Sequence, residues 1–104
     1  MASTTLIVLF NLKPGVAPAD YERFAKELDI PTVSRLQSVD DFRVFRASGL
    51  FGADGPPPFQ YVEVIEVNYL SGLIEEVGNP EVGKVVAAFR EYADNPVFIM
   101  SDEI

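Results

Sequence analysis

Thr5-Leu6-Ile7-Val8-Leu9-Phe10-Asn11-Leu12, closed by Lys13-Pro14-Gly15, decides how the rest of the chain must fold. A run this apolar and this rich in β-branched residues, bounded by turn residues, reads as a strand buried on both faces. Such a strand needs cover on both sides. Either the remaining sequence supplies that cover or a second molecule does.

Downstream, Pro18 suits a first helical turn, and Tyr21, Phe24, Ala25 and Leu28 recur at i, i+3, i+4 and i+7. That spacing predicts a helix over residues 18–28. Pro31 is expected to interrupt it, leaving residues 32–37 as an irregular or short helical connection. Residues 39–47 alternate as a strand, with Phe42, Val44 and Arg46 on one face and Arg43, Phe45 and Ala47 on the other. The breaker-rich segment 48–58 then acts as an extended hairpin loop, either a plain connection or a lid, before a third strand over 59–67. Asn68 is expected to cap a short helix carrying Leu70, Leu73, Ile74 and Val77, with Gly78 closing it. Asn79-Pro80-Glu81 supplies a cap, a first-turn proline and an acid for a helix whose stripe is Val82, Val85, Val86 and Phe89. Asp94-Asn95-Pro96 ends that helix, and residues 97–100 form the last strand.

Strand, helix, strand, strand, helix, strand is the βαββαβ order of a ferredoxin-like α+β domain, a four-stranded antiparallel sheet with its helices on one face. Right-handed crossovers place both helices on the same side, so the other face has no cover from this chain. Pairing two such faces, as in a dimeric α+β barrel, removes an apolar patch of a size rarely left in water. Roughly 600 Å² of apolar surface at about 25 cal/mol/Å² contributes about 15 kcal/mol before association costs. The expectation is one domain over residues 1–104 that forms a homodimer. A monomer covered by its own loops or by a different protein is the alternative.

Composition narrows the function. The chain has 104 residues, 48% hydrophobic and 23% charged, within the range of an ordinary single globular domain. Sixteen acids against eight bases give a net charge of -8, which repels nucleic acid and anionic lipid, so neither is an expected partner. No run approaches the roughly 20 apolar residues of a membrane helix. Met1-Ala2-Ser3-Thr4-Thr5 has no basic flank or cleavage-like site, so a cytoplasmic location is expected. Cysteine and histidine are both absent, which removes thiol nucleophiles, imidazole bases, zinc sites and the usual haem ligands together. Asp40-Asp41 and Glu75-Glu76 are adjacent acids that point apart, and no phosphate loop or dinucleotide fingerprint is present, so no metal and no cofactor are expected. Acid-base chemistry falls to Asp, Glu, Tyr, Lys or Arg.

Polar residues on otherwise apolar strands are the candidates to line a pocket between sheet and helices: Asn11, Arg43, Arg46, Tyr61, Glu63 and Glu66. Tyr21 and Tyr92 join them from the helices. A hairpin symmetric about Ala53 places Arg46 and Glu63 on one face as close or diagonal neighbours, and Arg43 with Glu66 on the other. The catalytic reading is a Glu63 base oriented by Arg46, with Tyr61 as a proton donor or hydrogen-bonding group; the competing reading is a structural ion pair on an edge strand. Asn11, Tyr21, Arg43 and Tyr92 are candidate substrate contacts. Their competing roles are loop capping for Asn11, a dimer rim for Arg43 and the core stripe for the two tyrosines.

Pro31-Thr32-Val33, Leu36, Ser38-Val39 and Phe42-Arg43-Val44, followed by Tyr61-Val62-Glu63-Val64-Ile65-Glu66-Val67 and by Phe89-Arg90-Glu91-Tyr92-Ala93-Asp94-Asn95-Pro96-Val97-Phe98, resemble the RedY-like (HapK-like) proteins. The resemblance runs from about Thr5 to the C-terminus. It implies a dimeric α+β barrel and a place in pathways to prodigiosin-type pigments and related bis-heteroaromatic natural products. The implied activity is a small cofactor-independent enzyme of specialised metabolism that cyclises, isomerises or oxidises a pyrrole- or indole-like intermediate. A non-catalytic accessory protein that shields such an intermediate is the alternative. The resemblance assigns no catalytic residues.

Overall fold

The computed structural model describes residues 3–104, so Met1 and Ala2, and the N-terminal reading that rests on them, lie outside the described residues. The elements follow in order as β1 (Thr4–Leu12), α1 (Pro18–Phe24), a π-helical segment (Ala25–Asp29), α2 (Ile30–Ser34), β2 (Val39–Arg46), β3 (Tyr61–Val67), α3 (Leu70–Val77), α4 (Pro80–Tyr92) and β4 (Ala93–Ser101). The sheet order β2-β3-β1-β4, antiparallel throughout, is the ferredoxin-like α+β arrangement.

The doubly apolar β1 is central, as its composition demands. Val8 faces Glu63 on β3 and Phe98 on β4, while Phe10 faces Tyr61. Strand alternation therefore sends Leu6, Val8, Phe10, Tyr61, Glu63 and Ile65 toward the helices. Phe10 anchors that layer, with Tyr21 and Phe89 edge-on to its ring at 5.3 and 5.0 Å and Tyr61 stacked on it at 5.5 Å. Ile7, Leu9, Val62, Val64, Phe45 and Ile99 fall on the opposite face, half-buried or exposed, with no helix or strand of the described residues over them. Among the described residues no helix is long and apolar enough to cross a membrane.

The first helix departs from expectation at Pro31. Instead of stopping, the chain widens into the π segment, where the Ile30 N–H donates to the Ala25 carbonyl five residues back, and then resumes as α2 with Pro31 in its first turn. A proline ring clashes with the carbonyl one turn earlier and offers that turn no N–H; a widened turn just upstream relieves both problems. The extra residue also rotates the buried stripe. Leu28, expected in the core, is 52% exposed, and Asp29 takes the inward position at 6%.

Three other expectations shift. Tyr69, and not Asn68, occupies the N-cap of α3; the Asn68 amide instead donates to the Gln37 carbonyl and to Asp40 Oδ1, fastening the start of β2 to the end of β3. Gly78 ends α3 with an ordinary right-handed φ of -77°, so no left-handed cap is formed. The Asp94-Asn95-Pro96 breaker ends α4 but is absorbed into β4, with Asn95 at φ +46° beside a register shift between Leu9 and Asn11. Asn79 caps α4 as expected, its Oδ1 accepting the Glu81 N–H at 2.9 Å.

Candidate active site

Glu63 is an acid in an apolar row. Its β3 position sets it between Val8 and Val44 under the helices, where it is 4% exposed. Among the described residues its one hydrogen-bond donor is Tyr21, which comes down from α1 fully buried and donates its hydroxyl to Glu63 Oε2 at 3.2 Å. The π segment brings Asp29 to the same place. Both carboxyls line a cavity of about 180 Å³ between the helices and the sheet, walled by apolar side chains including Leu6, Phe42, Ile65 and Phe89. Arg90 and Phe98 complete the wall, with the guanidinium carbon 5.6 Å from the ring centroid.

Burial penalises charge on both acids. Desolvation pushes the Asp29 carboxyl up to about 7. Desolvation first, and the neighbouring Asp29 charge second, push Glu63 up to about 8, against the opposing pull of the Tyr21 hydrogen bond. Burial and the Glu63 charge raise the Tyr21 phenol far above its ordinary value, so it serves as a donor and not as a base. Near neutral pH the two raised carboxyls of this one cavity are therefore poised both to take a proton and to give one back.

The other sequence candidates divide. Arg46 and Tyr61 do face each other across β2 and β3, and Arg46 shares a face with Glu63 at the diagonal position, but it does not orient Glu63. Glu22 on α1 intervenes: Arg46 grips it through two 2.7 Å contacts, and the Tyr61 hydroxyl donates to Glu22 Oε2 at 2.7 Å. The physical reason is exposure. Arg46 sits two pairs nearer the hairpin loop than Glu63, with its side chain 67% accessible, so a helix-surface carboxylate meets it before the buried one can. The Arg46 contact and then the Tyr61 hydroxyl hold Glu22 down at about 2, while burial and Glu22 push Tyr61 up to about 12. With Tyr21 these three line a separate, more open cleft of about 190 Å³.

Asn11 pins the long loop, donating to the Pro58 carbonyl and accepting the Gln60 N–H, and does not line the buried cavity. Arg43 lies on the uncovered face, paired with Asp41 at 2.9 Å, and Glu66 on that face accepts the Thr5 hydroxyl. Tyr92 is a packing residue, stacked on Phe24 at 5.0 Å. Asp29 is the site residue that sequence reasoning missed. Its one available signal was position: it follows Ala25 by four residues on the apolar stripe, beside a Pro31 able to shift that stripe.

The family model described as REDY-like protein HapK matches residues 4–104. Among solved structures, HapK from Hahella chejuensis is similar at a TM-score of 0.77 and 23% identity, covering 97% of this chain and 92% of that one. SnoaB from Streptomyces nogalater, a cofactor-independent oxygenase, matches at 0.77 and 13% identity over 99% and 94% of the two chains. A dimeric ferredoxin-like protein from Thermobifida fusca matches at 0.72 and 15% identity over 97% and 91%. No curated protein sequence matches the chain. At these identities the structural matches show the fold.

Proposed function

Because the chain belongs to the HapK family of REDY-like proteins, we propose that it is a small cofactor-independent enzyme of specialised metabolism. Its substrate is a pyrrole- or indole-like intermediate held in the cavity under the helices. The observation that carries this reading is that Asp29 and Glu63 both line one largely apolar hollow. A volume of about 180 Å³ suits one small aromatic ring, since a hollow of about 150 Å³ already accepts benzene. The ionised acid takes a proton from one ring atom and the protonated acid returns a proton to another. Protons and electrons balance, so isomerisation or ring closure needs no further reagent. Tyr21 positions Glu63 throughout.

A carrier that only shields the intermediate needs the apolar walls but not the acids. The test is conversion of pyrrole and indole intermediates from the surrounding pathway, followed by mass spectrometry. Glu63→Gln is expected to lower turnover by about 100-fold or more while the protein stays folded and the ligand still binds. Undiminished turnover in that variant contradicts the assignment, and binding without conversion by the native protein supports the carrier.

The same reading makes the active unit a homodimer, joined through the uncovered sheet face. Supporting it, the chain exposes 6843 Å², where a monomer of its mass exposes about 5,800 Å². The molecule is a slab 20 Å thick, with a radius of gyration of 14.1 Å against about 13 Å for a rounded domain of this length. The Thermobifida fusca relative in fold is itself dimeric. A cytoplasmic location belongs to this reading too, on the strength of an acidic, cysteine-free composition.

A further inference from the structure

Two carboxyls face one apolar cavity, and only one of them has a protein partner. Glu63 accepts the Tyr21 hydroxyl, whereas Asp29, 6% exposed, accepts no side-chain or backbone donor among the described residues. The one basic side chain in the cavity wall, Arg90, is exposed and lies over Phe98 without an ion pair to either acid. Of the other arginines, Arg46 pairs with Glu22, Arg43 with Asp41 and Arg23 with Asp20, and Arg35 does not line the cavity. Histidine is absent from the chain. Buried carboxyls are kept neutral by protons or matched by a cation that donates to them. This cavity has room for the second solution and no side chain that supplies it.

Resting on the cavity of the proposed function, we propose that its ligand is a flat, N–H-bearing heteroaromatic or amidine-like cation. Its N–H groups point at Asp29 and Glu63, and its positive charge selects it over a neutral ring of the same outline. Two acidic groups meet such a ligand, the Asp29 and Glu63 carboxyls, with Tyr21 holding Glu63 from behind and the Arg90 guanidinium set over the Phe98 ring in the wall. An anion of the same shape meets two acids, and is rejected. Because burial keeps the acids partly protonated, a seated cation draws protons off the pair until one remains between them, so binding and proton release are coupled.

Benzamidinium, benzamide and benzoate share one outline and differ in charge, and serve as probes of the whole chain by calorimetry and NMR. At pH 8 benzamidinium is expected to bind about 10-fold or more tightly than benzamide, with benzoate weaker than either. Near pH 7, titration in buffers of different ionisation enthalpy should show release of part of a proton per cation bound, and no uptake. The double substitution Asp29→Asn and Glu63→Gln should cut the preference to about two-fold or less while benzamide still binds. If that variant fails to fold, the native-protein series and the proton count decide the matter. Equal affinity for cation and amide, tighter benzoate, or no binding by any of the three overturns the proposal. A neutral preference with turnover intact sinks the charge selection alone; a cation preference without turnover sinks only the catalytic reading.

Discussion

Tyr21 Oη lies 3.2 Å from Glu63 Oε2, and this single donor is what the fold gives a carboxyl carried into the core on β3. It is not enough to keep Glu63 ionised at neutral pH, since burial still pushes it up to about 8 and Asp29 to about 7. In the unfolded chain both groups return to their ordinary values of 4.5 and 3.8. Between these limits the folded state binds more protons than the unfolded state, so stability is greatest on the acid side and falls as pH rises, levelling off above about 8. Thermal unfolding between pH 5 and 9 is expected to show a falling Tm, and Glu63→Gln together with Asp29→Asn to flatten it. A Tm that climbs with pH over that range contradicts the buried pair.

Arg46 and Glu22 make the opposite case, a well-aligned pair on an exposed surface. Ion pairs open to solvent contribute little to stability, because water already solvates the separated charges. Arg46→Met is expected to leave both Tm and turnover close to native. A large loss of turnover would return Arg46 to the reacting centre.

Most of the fold was legible because its signals are local. The apolar run ending at Leu12, the Val82 to Phe89 stripe and the Asn79 cap each depend on neighbours within a turn or a strand. Site residues depend on register and helix phase. Glu63 could be picked out as an acid among valines, and the facing of Arg46 with Tyr61 follows from the hairpin. Glu22 could not be foreseen between them, since nothing on its own helix marks it as a partner for β2. Asp29 was hidden by the π segment, which moves the inward position one residue along and turns Leu28 outward. That phase shift has a measurable consequence. Leu28→Ala should change stability by no more than about 0.5 kcal/mol, whereas Phe24→Ala, on the same stripe before the shift, should cost about 3–5 kcal/mol. Comparable losses from the two would mean a regular helix.

Ile99 and Val64 lie on the uncovered face at opposite flanks of β1. A lysine at Ile99, 41% exposed in the single chain, is easily solvated there but not between two packed sheets. Sedimentation at about 10 μM should show a native dimer, the Ile99→Lys chain being monomeric and folded. A native monomer at that concentration contradicts sheet-to-sheet pairing.

Carboxyl ¹³C titration of Glu63 and Asp29 bears most directly on the acid pair from which the chemistry is derived. Midpoints near 8 and 7 are expected, with the Glu63 midpoint moving higher in Tyr21→Phe, because the lost hydrogen bond had favoured the ionised form. Midpoints near 4.5 and 3.8 would mean solvated, independent carboxylates and no shared proton at neutral pH, and would contradict the proposed site.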